Sequence, residues 1–247
     1  MNSESFQVYL SALEEERFGI RTARAVGVTV ENLPLVMDFC LTNQVVFLIA
    51  RCSCTNIKAA QAMEREGFIL MDTLVYYVRD LTKTPIPRDL GKFPLRPIRP
   101  GEEEAVRTLA AESFQGFAGH YHADERLDRD KCDETYASWA FRSCLSREVA
   151  DEVLVADQGG TLVGFGTLRL NNPEEGAWVL GGVSPSARGQ GIYWSMIIYI
   201  MEWCLARGAK RMIVSTQLTN IAVQNVWTRL GFVPSHAYYT FHKWFEK

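Results

Sequence analysis

The spacing of apolar residues changes along the chain between short unbroken runs and a helical repeat. Apolar runs over 45–50 and 177–182 predict buried strands. From Ile192 to Ala206 the apolar residues recur at helical spacing, and Gly208 follows where that helix should end. Strands and helices alternate in this way over most of the sequence. The pattern therefore predicts a mixed α/β fold.

Two groups of elements follow from this pattern and from the turn residues that interrupt it. The first is predicted to hold strands over 20–26, 45–50 and 73–79 and helices over 31–41 and 56–66, with the weakest pattern over 11–43. The second is predicted to hold strands over 95–98, 153–156, 162–170, 177–182, 211–216 and 238–244 and helices over 102–114, 131–145, 192–206 and 221–230. A polar loop that carries aromatic residues is expected over 115–127.

An internal repeat links the two groups. Residues 48–80 can be laid over 212–244 without a gap, and seven positions are then identical. They are Ile49/Ile213, Thr55/Thr219, Asn56/Asn220, Ile57/Ile221, Arg65/Arg229, Gly67/Gly231 and Phe68/Phe232. The identities cluster at a Thr-Asn-Ile helix start and at a Gly-Phe helix exit. We therefore interpret the first group as a shortened copy of the second.

A stretch that favours turns separates the two copies. Residues 82–93 contain Pro85, Pro87 and Gly91, which disfavour regular structure. We interpret this stretch as a linker between an N-terminal lobe over 1–81 and a second domain over 94–247.

Composition excludes several classes of function. With 47% hydrophobic and 22% charged residues the chain has the make-up of an ordinary soluble globular protein. Its net charge of −3 gives no general attraction to nucleic acid or to an anionic membrane, so neither partner is expected. The first five residues lack the features of a signal peptide, and no apolar run approaches the ~20 residues that span a bilayer. Six cysteines without a Cys-x-x-Cys spacing indicate reduced thiols, so a cytoplasmic location is expected.

The candidate chemistry lies in the junction between the strand at 177–182 and the helix at 192–206. Glycines on both sides of Gln190 remove side chains that would keep a ligand from the backbone. The helix that follows offers unpaired N–H groups and roughly half a positive charge at its N-terminus. Such a junction suits a pyrophosphate, although an ordinary turn that opens a helix is the alternative.

The junction resembles the acyl-coenzyme A loop of the GNAT acyltransferases (R/Q-x-x-G-x-G/A). Pro185, Arg188, Gly189 and Gly191 keep the order and spacing of that loop. The resemblance covers roughly residues 94–247 and implies an α/β GNAT acyltransferase fold with a degenerate N-terminal half-GNAT lobe. Because that lobe has no Arg-x-x-Gly-x-Gly loop, it is expected to form one wall of the acceptor site and not to bind coenzyme A.

The resemblance implies a set of residues that hold acyl-CoA as co-substrate. Backbone groups of Gly182 and Val183 are expected to hold the pantetheine and face the thioester. Those expected to take the pyrophosphate are the residues of the turn and first helical positions, namely Arg188, Gly189, Gln190, Gly191, Ile192 and Tyr193. Asn220 matches the pantetheine-contacting asparagine of the family, although a helix cap at this position needs no ligand.

Trp227 departs from the family pattern. Many members place a tyrosine seven residues after the asparagine, where it protonates the leaving thiolate. Indole cannot supply that proton, so the usual general acid is missing from the expected coenzyme site. Water, Tyr238 or Tyr239 is then the candidate for the general acid. Alternatively the thiolate leaves with little help, because a thiol pKa lies near 8.5.

A nearer resemblance rests on the truncated repeat, on Phe18-Gly19, on the loop from Phe114 to Ala123, and on Ser215-Thr216-Gln217 ahead of Asn220. These features resemble the dTDP-fucosamine acetyltransferases, which N-acylate nucleotide-linked amino sugars for bacterial surface polysaccharides such as O-antigen. The reaction implied moves an acyl group, acetyl or longer (for example 3-hydroxybutanoyl), from acyl-CoA to the amine of a dTDP-linked amino-dideoxy hexose.

The residues expected at the acceptor site include a base. Asp72 is the leading candidate because the related enzymes carry an acid near this position, and His120 is its rival because histidine titrates nearest working pH. The His-x-His spacing of His120 and His122 lacks an evident third ligand, so no metal is expected. Sugar or nucleotide contacts are expected from Tyr121, His122, Asn171, Thr216 and Gln217, with loop packing or backbone bonding as the alternative. Candidates for the diphosphate are Arg126, Arg129 and Arg169.

Other functions stay open on this sequence. Residues 124–134 hold more acids than bases, which keeps a polyamine, an aminoglycoside or a protein N-terminus as an alternative acceptor. A non-catalytic coenzyme A sensor is a further alternative, suggested by the missing tyrosine. The sequence does not fix the oligomeric state, although relatives form homodimers.

Overall fold

The computed structural model describes residues 5–88 and 93–245. The start of the chain (1–4), part of the expected linker (89–92) and residues 246–247 lie outside the described residues. Within the described ranges the strands are β1 Gln7–Leu10, β2 Thr22–Val26, β3 Phe47–Ser53, β4 Ile69–Asp80, β5 Leu95–Pro97, β6 Glu152–Gln158, β7 Thr161–Asn172, β8 Glu175–Val183, β9 Arg211–Gln217 and β10 Val233–Trp244. The α-helices are α1 Ala12–Phe18, α2 Leu33–Thr42, α3 Ile57–Arg65, α4 Glu103–Ser113, α5 Arg129–Leu145, α6 Ile192–Ala206 and α7 Ile221–Arg229, with a 3-10 turn over Pro185–Ala187.

The strands form one mixed sheet in the order β1-β2-β3-β10-β4-β9-β8-β7-β6-β5. Two pairs in it, β2–β3 and β8–β9, are parallel, and the other recorded pairs are antiparallel. Helices cover both faces of this sheet. The mixed α/β class expected from the apolar pattern is confirmed.

The predicted repeat has a structural counterpart. In the gapless overlay, the bounds of β3, α3 and β4 coincide residue for residue with those of β9, α7 and β10. In the sheet, however, the two copies exchange their final strands: β10 lies between β3 and β4, and β4 lies between β10 and β9. The register pairs Thr240 of β10 with Arg51 of β3 and with Asp72 of β4. One continuous sheet therefore runs through both copies.

The helices divide between the two faces. On one face α2 and α3 pack on residues such as Leu48 and Phe241, and α6 packs on residues such as Leu154 and Trp178. On the opposite face α4 and α5 pack on Val155, Phe165 and Leu180, and a second cluster around Phe47 and Tyr121 joins α1 and the 114–128 loop to the sheet. Apolar area buried on both faces stabilises this three-layer arrangement.

The N-terminal segment differs from the prediction. The expected strand over 20–26 begins at Thr22, because α1 precedes it and ends at Gly19, whose φ of 68° stops the helix. Neither β1 nor α1 was predicted. Helix α1 has seven residues, of which Glu14 and Phe18 are buried, so it is too short to show a clear apolar period.

Two expectations from composition have structural outcomes. Each of the six cysteines is a free thiol, as predicted. None of the helices in the described ranges is long and apolar enough to cross a membrane.

Candidate active site

The site begins where two central strands of the sheet diverge. Parallel pairing of β8 with β9 runs from Glu175↔Arg211 to Trp178↔Val214. Beyond that point β8 continues beside β7, and β9 continues beside β4. The backbone edges of residues 179–183 and 215–217 therefore have no ladder with each other. Such edges offer N–H and C=O groups to a ligand between them.

A cavity of about 790 Å³ occupies this gap. Its lining comes from both faces of the sheet, including Tyr136 and Trp139 of α5 and Tyr193 and Trp227 of α6 and α7. The volume lies within the ~300–1,000 Å³ usual for small-molecule sites. The cavity is therefore lined by helices from both faces of the sheet.

The turn before α6 fits a pyrophosphate. Gly189 and Gly191 have φ values of 79° and 82°, and a Cβ added to either would meet no atom within 4 Å. Gly191 is the N-cap of α6 and provides no side-chain acceptor for the first helical N–H groups. The Arg188 guanidinium is not available to the pyrophosphate, because its Nη2 donates to the Ser113 carbonyl at 2.9 Å. The chain therefore leaves the helix N-terminus open to an anion.

Gly181 and Gly182 are explained by packing. A Cβ on Gly182 would lie 2.6 Å from Ser113 Cβ, and one on Gly181 would lie 2.3 Å from Trp178 Nε1. These glycines allow the end of α4 and an indole to press against β8 where it leaves β9.

Asn220 differs from its counterpart in the repeat. Asn56 caps α3 by accepting a hydrogen bond from the Ala59 N–H at 3.1 Å. Asn220 makes no such cap at α7, and its Nδ2 donates instead to Thr216 Oγ1 at 3.0 Å. Both Asn220 and Thr216 line the cavity. The cap alternative for the Asn220 side chain is therefore wrong, and its amide is directed to the cavity.

The two positions that depart from the GNAT pattern contact each other. Trp227 Nε1 donates to the Tyr193 hydroxyl at 3.2 Å, and both side chains line the cavity. Tyr193 occupies the last position of the R/Q-x-x-G-x-G/A loop, where the family pattern has glycine or alanine. Burial raises the pKa of Tyr193, so its hydroxyl stays protonated at neutral pH.

A chain of buried hydrogen bonds reaches the cavity from the other face. His120, which lines the cavity, bonds through Nδ1 to His242 Nε2 at 2.9 Å. His242 Nδ1 lies 2.7 Å from Asp124 Oδ2, which also accepts from Trp244 Nε1 at 2.9 Å. In the described part of the chain, His120 Nε2 makes no hydrogen bond.

The pKa shifts in this chain determine where its protons lie. Burial holds the pKa of His120 well below 6.5, with help from His242 and Arg51, and burial also lowers the pKa of His242. Burial alone would raise the pKa of Asp124, but the bonds from His242 and Trp244 lower it overall. An ionised Asp124 requires His242 to donate through Nδ1, so His242 Nε2 accepts from His120 Nδ1–H. The lone pair of His120 is then on Nε2.

Guanidinium groups dominate the charge of the cavity wall. Five arginines and two glutamates line it: Arg17, Arg24, Arg51, Arg142, Arg169, Glu14 and Glu148. Glu14 is paired within the wall, because Arg24 Nη2 lies 2.6 Å from its Oε1 and the Tyr121 hydroxyl donates to the same oxygen at 2.8 Å. The wall therefore has an excess of positive charge, which favours an anionic ligand.

The predicted site residues divide between the cavity and its surroundings. Lining positions are held by His120, Tyr121, Asn171, Tyr193, Thr216, Gln217, Asn220 and Trp227. The turn residues Gly182, Val183, Arg188, Gly189, Gln190, Gly191 and Ile192 lie at the adjoining strand end and helix start. Asp72 lies on β4 beside the wall, and Tyr238 lies on β10 in edge contact with Tyr76.

Other candidates lie elsewhere. His122 Nε2 bonds to Asp133 at 2.9 Å and does not line the cavity, and Tyr239 packs with the cluster under α2 and α3. Among the candidate cations, Arg169 lines the cavity, whereas Arg126 stacks on Trp244 and Arg129 donates to the His122 carbonyl. In the described ranges no three His, Cys, Asp or Glu side chains are grouped as a metal site requires.

Comparison with known proteins adds a family. The model described as Acetyltransferase (GNAT) family matches residues 105–232, from within α4 to the residue before β10. The chain is 26% identical over 203 residues to the spore coat polysaccharide biosynthesis protein SpsD of Bacillus subtilis (strain 168). That alignment covers 80% of this chain and 66% of SpsD, so the chain spans just under two thirds of that relative.

Two solved structures share the fold. The crystal structure of a GCN5-related N-acetyltransferase from Sphaerobacter thermophilus superposes with a TM-score of 0.66 at 16% identity, covering 97% of this chain and 76% of that one. A tandem GNAT protein from the clavulanic acid biosynthesis pathway gives a TM-score of 0.62 at 16% identity, covering 92% and 76%. At these identities the likeness shows the fold alone, and the expected GNAT fold is confirmed.

Proposed function

The chain belongs to the acetyltransferase (GNAT) family and is an acyl-CoA-dependent N-acyltransferase, and from this premise we propose that its acceptor is the amine of a dTDP-linked amino-dideoxy hexose. The acyl group is acetyl or a longer group such as 3-hydroxybutanoyl, and the product serves surface polysaccharide synthesis. The relative SpsD supports this assignment, because its name places it in polysaccharide biosynthesis.

The observation that carries the proposal is the charge of the cavity wall. Five guanidinium groups against two carboxylates favour a diphosphate and disfavour a polyamine or another polycation. Arg142 and Arg169, which form no ion pair in the described ranges, are the groups we assign to the diphosphate. Tyr121, Asn171, Thr216 and Gln217 supply polar and aromatic surface for the sugar and base.

On the donor side, acyl-CoA when bound supplies the acyl group and a thiol as leaving group. The open turn at Gly189 and Gly191 and the start of α6 hold its pyrophosphate. The free edge of β8 and the Asn220 amide hold its pantetheine. These roles need only backbone N–H and C=O groups and one amide.

The base we assign is His120. Its Nε2 carries a lone pair, makes no protein hydrogen bond in the described ranges, and takes the proton from the attacking amine. The Nδ1–H of the ring is held by His242, and Asp124 holds His242 in turn, as in other triads where a carboxylate fixes an imidazole tautomer. Asp72 is the alternative base, because its Oδ1 is buried and has no hydrogen-bond partner in the described ranges.

The proton for the departing thiolate comes from Tyr193. Its hydroxyl accepts a hydrogen bond from Trp227 Nε1 and lines the cavity, so its own proton is available to a group bound there. Its raised pKa keeps that proton in place until a thiolate forms nearby. Tyr193 thus supplies from α6 the group that the family pattern places at the position of Trp227.

Release of free thiol from acyl-CoA with a panel of amines tests this function. The panel contains a dTDP-linked amino-dideoxy hexose, the same sugar without the nucleotide, spermidine, an aminoglycoside and a peptide with a free N-terminus. We expect rapid release with the first, and competitive inhibition of that reaction by dTDP alone. Faster release with spermidine or the peptide would refute the acceptor assignment, and binding of acyl-CoA without release on any amine would identify a sensor.

A further inference from the structure

Three polar side chains stand in a row across three adjacent strands. Arg51 on β3 is opposite Thr240 on β10, and Thr240 is opposite Asp72 on β4. Directly opposed residues of antiparallel strands project from the same face of a sheet. We call Arg51, Thr240 and Asp72 the polar row.

Each member of the polar row has a buried atom with no hydrogen-bond partner. In the described ranges the buried unpartnered side-chain atoms include Arg51 Nε, Thr240 Oγ1 and Asp72 Oδ1. Thr240 is fully buried, at 0% exposure. An unsatisfied buried polar group destabilises a fold, and native proteins contain few of them. Three in one row therefore indicate a site whose partner is a ligand.

The row adjoins the cavity and the proposed base. Arg51 lines the cavity, and so do Leu74 and Tyr76. Leu74 and Tyr76 are two and four residues after Asp72 on β4, so all three side chains project from the same face of the sheet. Thr240 and His242 are two residues apart on β10, so they share a face as well. The negative charge of Asp72 reaches both His242 and Tyr136, and the charge of Arg51 reaches His120.

The chemistry of the row selects one kind of ligand. Arg51 can only donate hydrogen bonds, an ionised Asp72 can only accept them, and Thr240 can do either. Arg51 and Asp72 form no ion pair or hydrogen bond with each other in the described part of the chain. A phosphate would be repelled by the carboxylate, and a polyamine has no oxygen for the guanidinium. An amine with a hydroxyl on the neighbouring carbon matches both ends of the row.

We propose that the polar row is the subsite for the amine and the adjacent ring hydroxyl of the acceptor, with Asp72 accepting from the amine and Arg51 donating to the hydroxyl oxygen. Thr240, between them, bonds the same hydroxyl. This inference rests on the proposed function and names the part of the sugar that the enzyme recognises. The nucleotide diphosphate binds to Arg142 and Arg169 and not to this row.

The test uses a pair of matched threonine variants. In Thr240→Val the unpartnered hydroxyl is replaced by a methyl group of the same size, so we expect an unchanged or higher Tm. Affinity for the dTDP-linked amino sugar, titrated calorimetrically without acyl-CoA, is expected to fall roughly tenfold. Affinity for dTDP alone and the KM for acyl-CoA are expected to stay as in the wild type.

The control is Thr22→Val on the neighbouring strand β2. Thr22 is equally buried, but its Oγ1 donates to the Ile20 carbonyl at 2.7 Å. We expect a lower Tm in this variant and no change in sugar affinity. A further arm titrates the sugar analogue that lacks the hydroxyl beside the amine, which should bind wild type and Thr240→Val equally.

Each outcome decides the proposal. A Tm loss in Thr240→Val like that of Thr22→Val would show that the hydroxyl has a protein partner, and equal sugar affinity in Thr240→Val and wild type would show that water alone fills the row. Either result overturns the subsite, as does a wild type that does not bind the amino sugar. A wild type that binds the sugar but releases no thiol refutes the proposed function while the comparison of variants still judges the row.

Discussion

Asp124→Asn is the change that tests most directly how the proposed base is set. The carboxylate of Asp124 lies 2.7 Å from His242 Nδ1 and requires that nitrogen to donate. An asparagine amide can donate to His242 Nδ1, which then leaves the proton of His242 on Nε2. His120 Nδ1 must accept from that proton, so His120 carries its own proton on Nε2. The nitrogen that faces the cavity then has no lone pair.

The size of the effect follows from the role assigned to His120. A positioned general base contributes about 10²–10⁴-fold, so we expect kcat to fall by about 10²-fold or more, or about 2.7 kcal/mol of transition-state stabilisation. The KM for acyl-CoA should not change, because Asp124 lies outside the cavity wall. Asp124 also accepts from Trp244 Nε1, so a loss of about 1–3 kcal/mol in stability is expected as well.

The assay is thiol release at 25 °C, with Asp133→Asn as the matched control. Asp133 lies on α5 and bonds at 2.9 Å to Nε2 of His122, which is on the same loop as Asp124, but the Asp133 side chain is 61% exposed and neither residue of this pair lines the cavity. The control removes the same charge from another histidine and should leave kcat unchanged. Thermal unfolding of both variants confirms that each is folded at the assay temperature.

A second readout separates base catalysis from a structural role. Because the pKa of His120 is lowered, its Nε2 stays unprotonated to below pH 6.5 in the wild type. Protonation of Nε2 at still lower pH removes the base, so kcat should fall on the acid limb of the pH profile. In Asp124→Asn this limb should vanish along with the base. A kcat within about threefold of the wild type, or an unchanged acid limb, would refute the assignment of His120 and leave Asp72 as the base.

Three further predictions test the donor side and the buried histidines. Tyr193→Phe should lower kcat roughly tenfold with an unchanged acyl-CoA KM, a modest effect because the leaving thiol has a pKa near 8.5; an unchanged kcat would show unassisted departure. Gly191 and Gly208 have φ values of 82° and 85°, and both have open space for a Cβ, so Gly191→Ala and Gly208→Ala should each lose about 1 kcal/mol of stability. Only Gly191→Ala should raise the acyl-CoA KM. Equal KM values in the two variants would contradict pyrophosphate binding at the turn before α6. Because folding lowers the pKa of His120 and His242, the unfolded chain binds more protons than the folded chain below pH 6.5. The contribution of these histidines to the free energy of unfolding is therefore full above pH 6.5 and falls below it by up to about 1.4 kcal/mol per pH unit for each histidine. Urea unfolding at pH 7.5, 6.5 and 5.5 measures this fall, and a flat profile would contradict it.

The features that the sequence could predict leave local signals. The repeat was visible because a helix start and a helix exit impose specific residues, Thr-Asn-Ile and Gly-Phe, at fixed spacing. The turn before α6 was visible because Gly189 and Gly191 stand at positions of positive φ. In both cases the physical requirement acts on neighbours in the chain, so a pattern of a few residues expresses it.

The features that the sequence could not predict depend on contacts between distant segments. His242 and Asp124 are separated by 118 positions, and nothing around His242 distinguishes it from any other residue of the last strand. Tyr193 and Trp227 did leave a signal, since each departs from the family pattern. That the two departures contact each other is a fact of the packing of α6 against α7, which no local pattern contains.

The exchange of final strands explains why the acceptor side needs both copies of the repeat. Thr240 and His242 belong to β10, the last strand of the second copy, yet that strand is bonded on both sides to strands of the first copy. Arg51 and Asp72 come from those flanking strands, so the polar row exists only where the copies interleave, and His242 on β10 holds the proposed base there. The first copy has no Arg-x-x-Gly-x-Gly turn, and what it contributes to this part of the sheet is the two strands that flank β10. Removing it would expose both edges of β10 and take away Arg51 and Asp72, while leaving the donor turn, which belongs wholly to the second copy.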